Sequence, residues 1–277
     1  MDRLKRNERM GAMARILTAA PNRIFNLSEF GDRFSSAKST LSEDVELLSD
    51  LFAKMGLGEI STVPGAAGGV RFRPLPTLEQ TEIRMQELAD RLSQPGRLLP
   101  GGFLYISDVI CDPDAVDFMG MVLARDFYDE GVDFVLTMET KGIPLAMATA
   151  QKLAVPLVIA RRDSRAYEGS AVKISYASGR NEEKIQTMAL SRRAVKEGQR
   201  ALIVDDFMKA GGTLKGMCDL MAEFNVEVAG ICVAIATADP EDKAVRGVRA
   251  LLTLTDKDGD HAHVSPTQWA LNGGKEE

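Results

Sequence analysis

The segment ALIVDDFMKAGGTL, residues 201–214, constrains this chain more tightly than any other stretch. Four apolar residues suit a buried strand, two acids follow, and a short glycine-bearing turn leads into a helix that starts near Thr213. Such a strand–turn–helix unit has a particular use at its turn. Backbone N–H groups of Lys209, Ala210, Gly211, Gly212 and Thr213 crowd around the helix N-terminus. No Cβ at the two glycines obstructs an anion, and the helix dipole favours one. The Thr213 hydroxyl adds a donor. Asp205 and Asp206 repel a phosphate. They suit the neutral hydroxyls of a ribose, or a divalent cation carried with the ligand. The implied ligand is a phosphorylated sugar. A bare Gly-Gly after a strand would be only a turn; the adjoining acids give it meaning. Neither G-x-x-x-x-G-K-[ST] nor G-x-G-x-x-G occurs, which argues against a nucleotide triphosphatase and a dinucleotide enzyme.

The surrounding sequence supplies a sheet for this unit. A helical pattern over 79–92 precedes a short apolar strand, Phe103–Ile106, and a helix with Val116, Met119, Leu123 and Phe127 on one face. Val132–Met138, Val155–Ala160, Ala201–Val204 and Val228–Ala236 read as strands, with helices at Pro144–Leu153 and Thr213–Phe224 between them. This alternation predicts an α/β domain with a mainly parallel sheet covered by helices on both faces. Ligands in such sheets bind beyond the carboxyl ends of the strands.

The first 75 residues read differently. Leu4, Met10, Met13, Ile16 and Leu17 mark one helix, ended before Pro21. Asn26 or Ser28 caps a short second helix carrying Leu27, Phe30 and Phe34. A third helix carries an apolar stripe of Leu41, Val45, Leu48, Phe52 and Met55, with Ser42, Glu43, Asp44 and Glu46 outside it. It opens on the small polar run Ser35-Ser36-Ala37-Lys38-Ser39-Thr40. Glu59–Val63 and Val70–Arg73 then form a glycine-rich hairpin. Two short helices and a tight turn match a helix-turn-helix, and the hairpin makes it winged. Pro74 and Pro76 mark a boundary, giving domains 1–74 and 75–277.

Charge agrees with a nucleic-acid partner at that end. Residues 1–40 hold eight Lys or Arg against four acids, net +4, so with -6 overall the remainder carries -10. A polyanion touched by the basic end alone fits, because phosphates attract Lys and Arg while the acidic body is repelled. The contacts expected are Ser36, Lys38, Ser39 and Thr40 at the recognition turn, Arg71 and Arg73 on the wing, and Arg3 and Arg6 at the N-terminus. A merely solvated basic helix, or a protein-docking module of three helices and a hairpin, fits the same pattern.

Other classes are excluded or disfavoured. No apolar run approaches the roughly 20 residues needed to cross a bilayer, and no signal core follows the start, so a cytoplasmic, membrane-free protein is expected. Cys111, Cys218 and Cys232 are too few and scattered for a disulfide framework or zinc ribbon. His261 and His263 are too isolated for a metal site, and no metal or required cofactor is expected.

Residues 201–214 resemble the phosphoribosyl pyrophosphate (PRPP) motif of type I phosphoribosyltransferases. The resemblance implies that Asp205 and Asp206 hold the ribose hydroxyls while Lys209, Ala210, Gly211, Gly212 and Thr213 wrap the 5-phosphate. Glu139-Thr140-Lys141-Gly142-Ile143-Pro144 is similar to the family's pyrophosphate loop, with Thr140, Lys141 and Gly142 as contacts and Lys141 as the anion's partner. The excursion Arg161–Arg193, with AVKISYASG as strand and turn, matches in position the flexible loop that closes over PRPP. There are departures. Lys209 stands where 6-oxopurine transferases place an acid, Ala210 replaces the usual hydroxyl residue, and only Trp269 offers an aromatic platform in the C-terminal stretch.

A winged helix joined to a PRPP-binding domain resembles, over nearly the full chain, the purine operon repressors of Gram-positive bacteria. Ser35-Ser36-Ala37-Lys38-Ser39, the wing from Val63 to Val70, Leu99-Pro100-Gly101-Gly102, Thr140–Ala146 and Asp205–Thr213 carry this likeness. The resemblance implies a homodimer that binds the double-stranded control DNA of purine biosynthesis and transport genes. It implies repression that is lifted when PRPP, with or without Mg2+, enters a site that keeps the transferase fold but not the reaction. An active purine phosphoribosyltransferase with an N-terminal dimerisation module is the rival reading.

Overall fold

The computed structural model describes residues 4–65, 68–99, 103–162, 169–177, 185–258 and 261–273. The chain divides into two compact units, one running to Thr77 and taking in Gln151–Ala154, the other holding the rest.

The first unit contains α1 (Arg6–Ala19), α2 (Leu27–Phe34), α3 (Lys38–Met55) and the hairpin of β1 (Glu59–Val63) with β2 (Gly69–Arg73). It is a winged helix-turn-helix. The Asn26 side chain caps α2 by accepting from the Ser28 amide at 2.9 Å. Ser35, at φ 50°, ends α2, and three residues later α3 begins. Met13, Leu17, Phe30, Phe34, Leu41, Val45, Leu48, Phe52, Ile60 and Phe72 build the core. Phe25 bridges to Val70, so the link between α1 and α2 adds an edge to the wing.

Two side chains depart from the sequence reading of α3. Asp44 is fully buried, not outside the stripe. Arg9 of α1 pairs with it at 2.8 Å and Arg6 at 3.0 Å, which compensates the buried charge. Met55 is 59% exposed because it lies in the last turn, beyond the packed face.

In the second unit α4 (Leu78–Leu92) is followed by a two-residue pair, β3 (Leu98–Leu99) and β4 (Phe103–Leu104), then α5 (Ser107–Ile110) and α6 (Pro113–Ala124). The expected strand Phe103–Ile106 thus shrinks to two residues outside the main sheet. Asp108, just beyond it, is bound by Arg91 at 3.1 Å and by Arg97 at 2.5 Å, and this fixes a helical turn there. The chain continues through β5 (Phe134–Met138), α7 (Ile143–Leu153), β6 (Leu157–Ala160), β7 (Ala171–Ala177), β8 (Ile185–Ser191), β9 (Arg200–Met208), α8 (Gly212–Glu223), β10 (Glu227–Thr237), β11 (Val248–Asp258), β12 (His261–Pro266) and α9 (Gln268–Leu271).

The main sheet has the order β12-β11-β10-β9-β5-β6, parallel throughout except for β12, which runs antiparallel to β11. β7 and β8 form a separate antiparallel ribbon. Ala201 and Ile203 of β9 pack with Leu214, Met217, Leu220 and Met221 of α8. The intervening Leu202 lies beside Gly230 and Phe127, so the opposite face is covered by the turn that follows α6. The chain reaches β6 on one side of β5, then returns to β9 on the other. That reversal puts a crevice between the carboxyl ends of β5 and β9.

Candidate functional site

At that crevice lies a cleft of about 480 Å³ whose walls include Glu139, Thr140, Lys141, Asp205, Asp206 and Thr213. Residues 139–141 precede α7, and Thr213 lies in the first turn of α8. Two helix N-termini thus meet at one cleft with a pair of carboxylates between them. The first N–H groups of a helix have no partner within it, so each terminus offers donors to an anion. The arrangement suits a ligand with phosphate groups at two ends and hydroxyls in the middle.

The α8 end is built by its carbonyls. Gly211, at φ 85°, is the cap, a backbone conformation that glycine adopts at no cost. Ala210 accepts at its carbonyl from the Ala244 amide at 2.9 Å. The Lys243 Nζ donates to the Lys209 carbonyl at 2.5 Å and to the Thr237 carbonyl at 2.7 Å. These bonds from residues 243–244 fix the carbonyls of the loop and so its shape.

The α7 end is built by a close approach. Gly142 is buried, and a Cβ there would lie 2.5 Å from Thr137 Oγ1 and 2.6 Å from Asp205 Oδ1. Only glycine lets the two loops touch. Thr140 and Lys141 are exposed at the rim. Glu139 is anchored behind them by the Arg162 amide at 2.9 Å and by the Arg161 guanidinium at 3.5 Å.

Between the ends, Asp205 is 6% exposed and accepts the Asp206 amide at 2.9 Å. Burial, reinforced by the neighbouring Asp206 charge, holds the Asp205 carboxyl well above its ordinary value. Ribose hydroxyls, as neutral donors, satisfy such a pair without adding charge.

The excursion 161–193 was expected beside the ligand, but none of its individual residues was named as a contact. Tyr176 and Gln186, paired across the ribbon with Tyr176 Oη donating at 2.8 Å to Gln186 Oε1, both line the cleft, as do Arg162 and Phe207. Burial raises the Tyr176 phenol above its ordinary value, against the opposing pull of its hydrogen bond with Thr213. Tyr176 lies in the strand-and-turn stretch of that excursion, and the alternation that buries it is the signal that could have singled it out. Trp269 is not among the cleft residues. Its indole donates to Asp126 at 2.9 Å, with Arg125 stacked on its ring. Lys209 is exposed and is not in the cleft wall either.

The expected DNA contacts of the first unit are scattered. Lys38 and Ser39 are exposed in the first turn of α3, with Thr40 half-buried beside them. Ser36 is half-buried, its hydroxyl donating back to the Phe34 carbonyl at 3.1 Å. Arg71 is half-buried on β2. Arg73 faces inward, 7% exposed with Nε donating to Asn22 Oδ1 at 3.2 Å, which takes it out of reach of a phosphate. Arg6 is ion-paired with Asp44 and Glu43. Arg3, together with residues 66–67, 100–102, 163–168 and 178–184, lies outside the described residues. Among the described residues no helix is long and apolar enough to cross a membrane.

Comparison with known proteins matches both units. Residues 5–74 match the family model for the N-terminal domain of the bacterial purine repressor, and residues 116–268 match that for the phosphoribosyl transferase domain. The chain is 42% identical over 253 residues to the purine biosynthesis transcriptional repressor PurR of Bacillus subtilis (strain 168), covering 91% of this chain and 88% of that protein. It is 38% identical over 251 residues to the purine biosynthesis transcriptional activator PurR of Lactococcus lactis subsp. lactis (strain IL1403), covering 91% and 92%. Its second unit shares a fold with the adenine phosphoribosyltransferase of Thermoanaerobacter pseudethanolicus, at a TM-score of 0.53 and 22% identity over 61% of this chain and 99% of that one. The chain therefore belongs to the bacterial purine repressor family, a winged helix joined to a type I phosphoribosyltransferase-like domain.

Proposed function

We propose that this chain regulates purine biosynthesis and transport genes by binding their control DNA through residues 1–74, as a homodimer in the cytoplasm. PRPP entering the cleft of residues 75–277 lifts its repression. The 5-phosphate sits at the α8 terminus against Gly211, Gly212 and Thr213, the pyrophosphate at Thr140, Lys141 and Gly142, and the ribose hydroxyls at Asp205 and Asp206. Mg2+ accompanying the pyrophosphate suits the hard carboxylate oxygens that the pair presents. The observation that carries the reading is the contact of Gly142 with Asp205, which makes the two anion-binding ends and the acid pair one continuous site.

The site works here as a sensor without transfer chemistry. Supporting this, Trp269, the one aromatic of the C-terminal stretch, is engaged by Asp126 and is not in the cleft wall. Repression rather than activation follows the Bacillus relative; the Lactococcus relative bears the opposite sign. Titrating the protein onto purine-operon control DNA with and without PRPP tests this: PRPP lowers affinity, and unchanged affinity overturns the effector assignment. Incubation with PRPP, Mg2+ and each purine base should yield no nucleotide; nucleotide formation would overturn the non-catalytic reading.

A further inference from the structure

The first unit carries a second concavity that the recognition helix does not explain. A dent of about 360 Å³ is lined by Arg23, Phe25, Glu29, Phe30 and Arg33. Both arginines are exposed, and among the described residues neither forms a side-chain hydrogen bond or ion pair. Glu29 and Arg33 stand at i,i+4 on α2, a spacing that permits an ion pair, yet the pair is not closed. The Arg23 guanidinium lies 5.0 Å from the centre of the Phe25 ring, held over it as a cation over a π face. A planar guanidinium already held in place loses less freedom on binding than a loose side chain, and its fork matches the oxygens of a phosphate.

The position of the dent gives the phosphate a source. Phe25 is bridged to Val70, the second residue of β2 after the hairpin turn, so one wall lies at the turn end of the wing, beside Arg71. Arg33 lies in the last turn of α2, ahead of the Ser35–Ala37 turn that delivers Lys38 and Ser39. The other wall is therefore the approach to the recognition helix. A duplex engaged by the head of α3 and by the wing passes its backbone across the ground between them.

We propose that Arg23 and Arg33 form a clamp for a backbone phosphate of double-stranded DNA, fixing how the unit sits on the duplex without reading sequence. This rests on the DNA-binding reading above and adds to it a specific backbone contact.

The test uses the full chain and two fluorescent duplexes, one carrying a purine-operon control region and one with that sequence scrambled, titrated at several salt concentrations. Arg23→Gln with Arg33→Gln should weaken binding to both duplexes by a similar factor. Each substitution should lower the slope of log affinity against log salt by about one unit. Arg23→Lys with Arg33→Lys should restore the slope, because the charge returns, and PRPP binding by calorimetry should not move. A melting profile equal to wild type certifies the fold, and the single Arg33→Gln variant serves if the double variant does not fold. Unchanged affinity and slope in a folded variant overturn the clamp. Weakening on the control region alone, with the scrambled duplex bound as before, overturns it too, since that marks base reading. Failure of the wild-type chain to bind either duplex overturns the DNA-binding reading itself, and the clamp with it.

Discussion

Gly142→Ala is the sharpest perturbation of the cleft, because the structure says what the added methyl meets. Its carbon would lie 2.5 Å from Thr137 Oγ1, 2.6 Å from Asp205 Oδ1 and 3.3 Å from Asp205 Cα. The Thr137 side chain is fully buried and Asp205 nearly so, and neither is the free end of a flexible chain. Something must shift by close to an ångström, and the Asp205 carboxylate is the group facing the ligand. Overpacking of this kind costs roughly 1–3 kcal/mol. At about 2–4 °C per kcal/mol for a unit this size, a cost near the middle of that range lowers the melting temperature by about 4–8 °C. The larger effect is on PRPP. A hydrogen bond to a charged acceptor is worth about 1.5–3 kcal/mol, and losing one weakens binding by about tenfold or more. Scanning calorimetry reads the first quantity and titration calorimetry the second, while DNA binding by the first unit should persist and become insensitive to PRPP. Wild-type PRPP affinity in the variant would refute the claim that this contact positions the acid pair.

Three further expectations follow from named contacts. Asp205→Asn keeps the acceptor for the Asp206 amide but has no proton to lose. Since the folded-state pKa of Asp205 is raised, its ionisation removes stability as pH climbs from the unfolded value of 3.8 through the folded one, so the variant's advantage in urea unfolding should grow over that window. An advantage that shrinks as pH rises would contradict the burial argument. Asp44→Ala strands the buried Arg9 guanidinium and should destabilise the winged unit by about 3 kcal/mol, read as a lower urea midpoint; an unchanged midpoint would show the pair to be dispensable. Lys243→Met removes the donor to the Lys209 and Thr237 carbonyls and should weaken PRPP binding while leaving the DNA affinity of the ligand-free chain intact; equal PRPP affinity would mean the loop holds its shape alone.

The features legible in the sequence were those with strict local requirements. Residues 201–214 need an apolar strand, acids and glycines in fixed order, and 139–144 needs a glycine at one position, so both loops stood out before any fold was known. The stripe Leu41–Phe52 was legible for the same reason, through its period. Long-range pairing was hidden. Asp44 reads as surface because nothing local says that Arg6 and Arg9, 35 or more residues earlier, will neutralise it. Arg73 reads as a phosphate contact until Asn22 is seen to hold it inward. Tyr176 enters the cleft only through the ribbon it forms with residues 185–191. β11 and β12 went unrecognised because their polar run Thr253–Asp258 dilutes the alternation of an edge hairpin, while Phe103–Ile106 was apolar enough to pass for a strand although Asp108 and its arginines claim the next turn for a helix.

Coupling between two ligands must be reciprocal, so whatever factor PRPP takes from DNA affinity, DNA takes from PRPP affinity. The direct test is calorimetric titration of PRPP, with Mg2+, into the full-length protein, alone and then saturated with purine-operon control DNA. PRPP should bind more weakly in the DNA complex, by the same factor that PRPP lowers DNA affinity, and Asp206→Ala should lose that binding. PRPP bound equally well with and without the duplex would contradict this coupling.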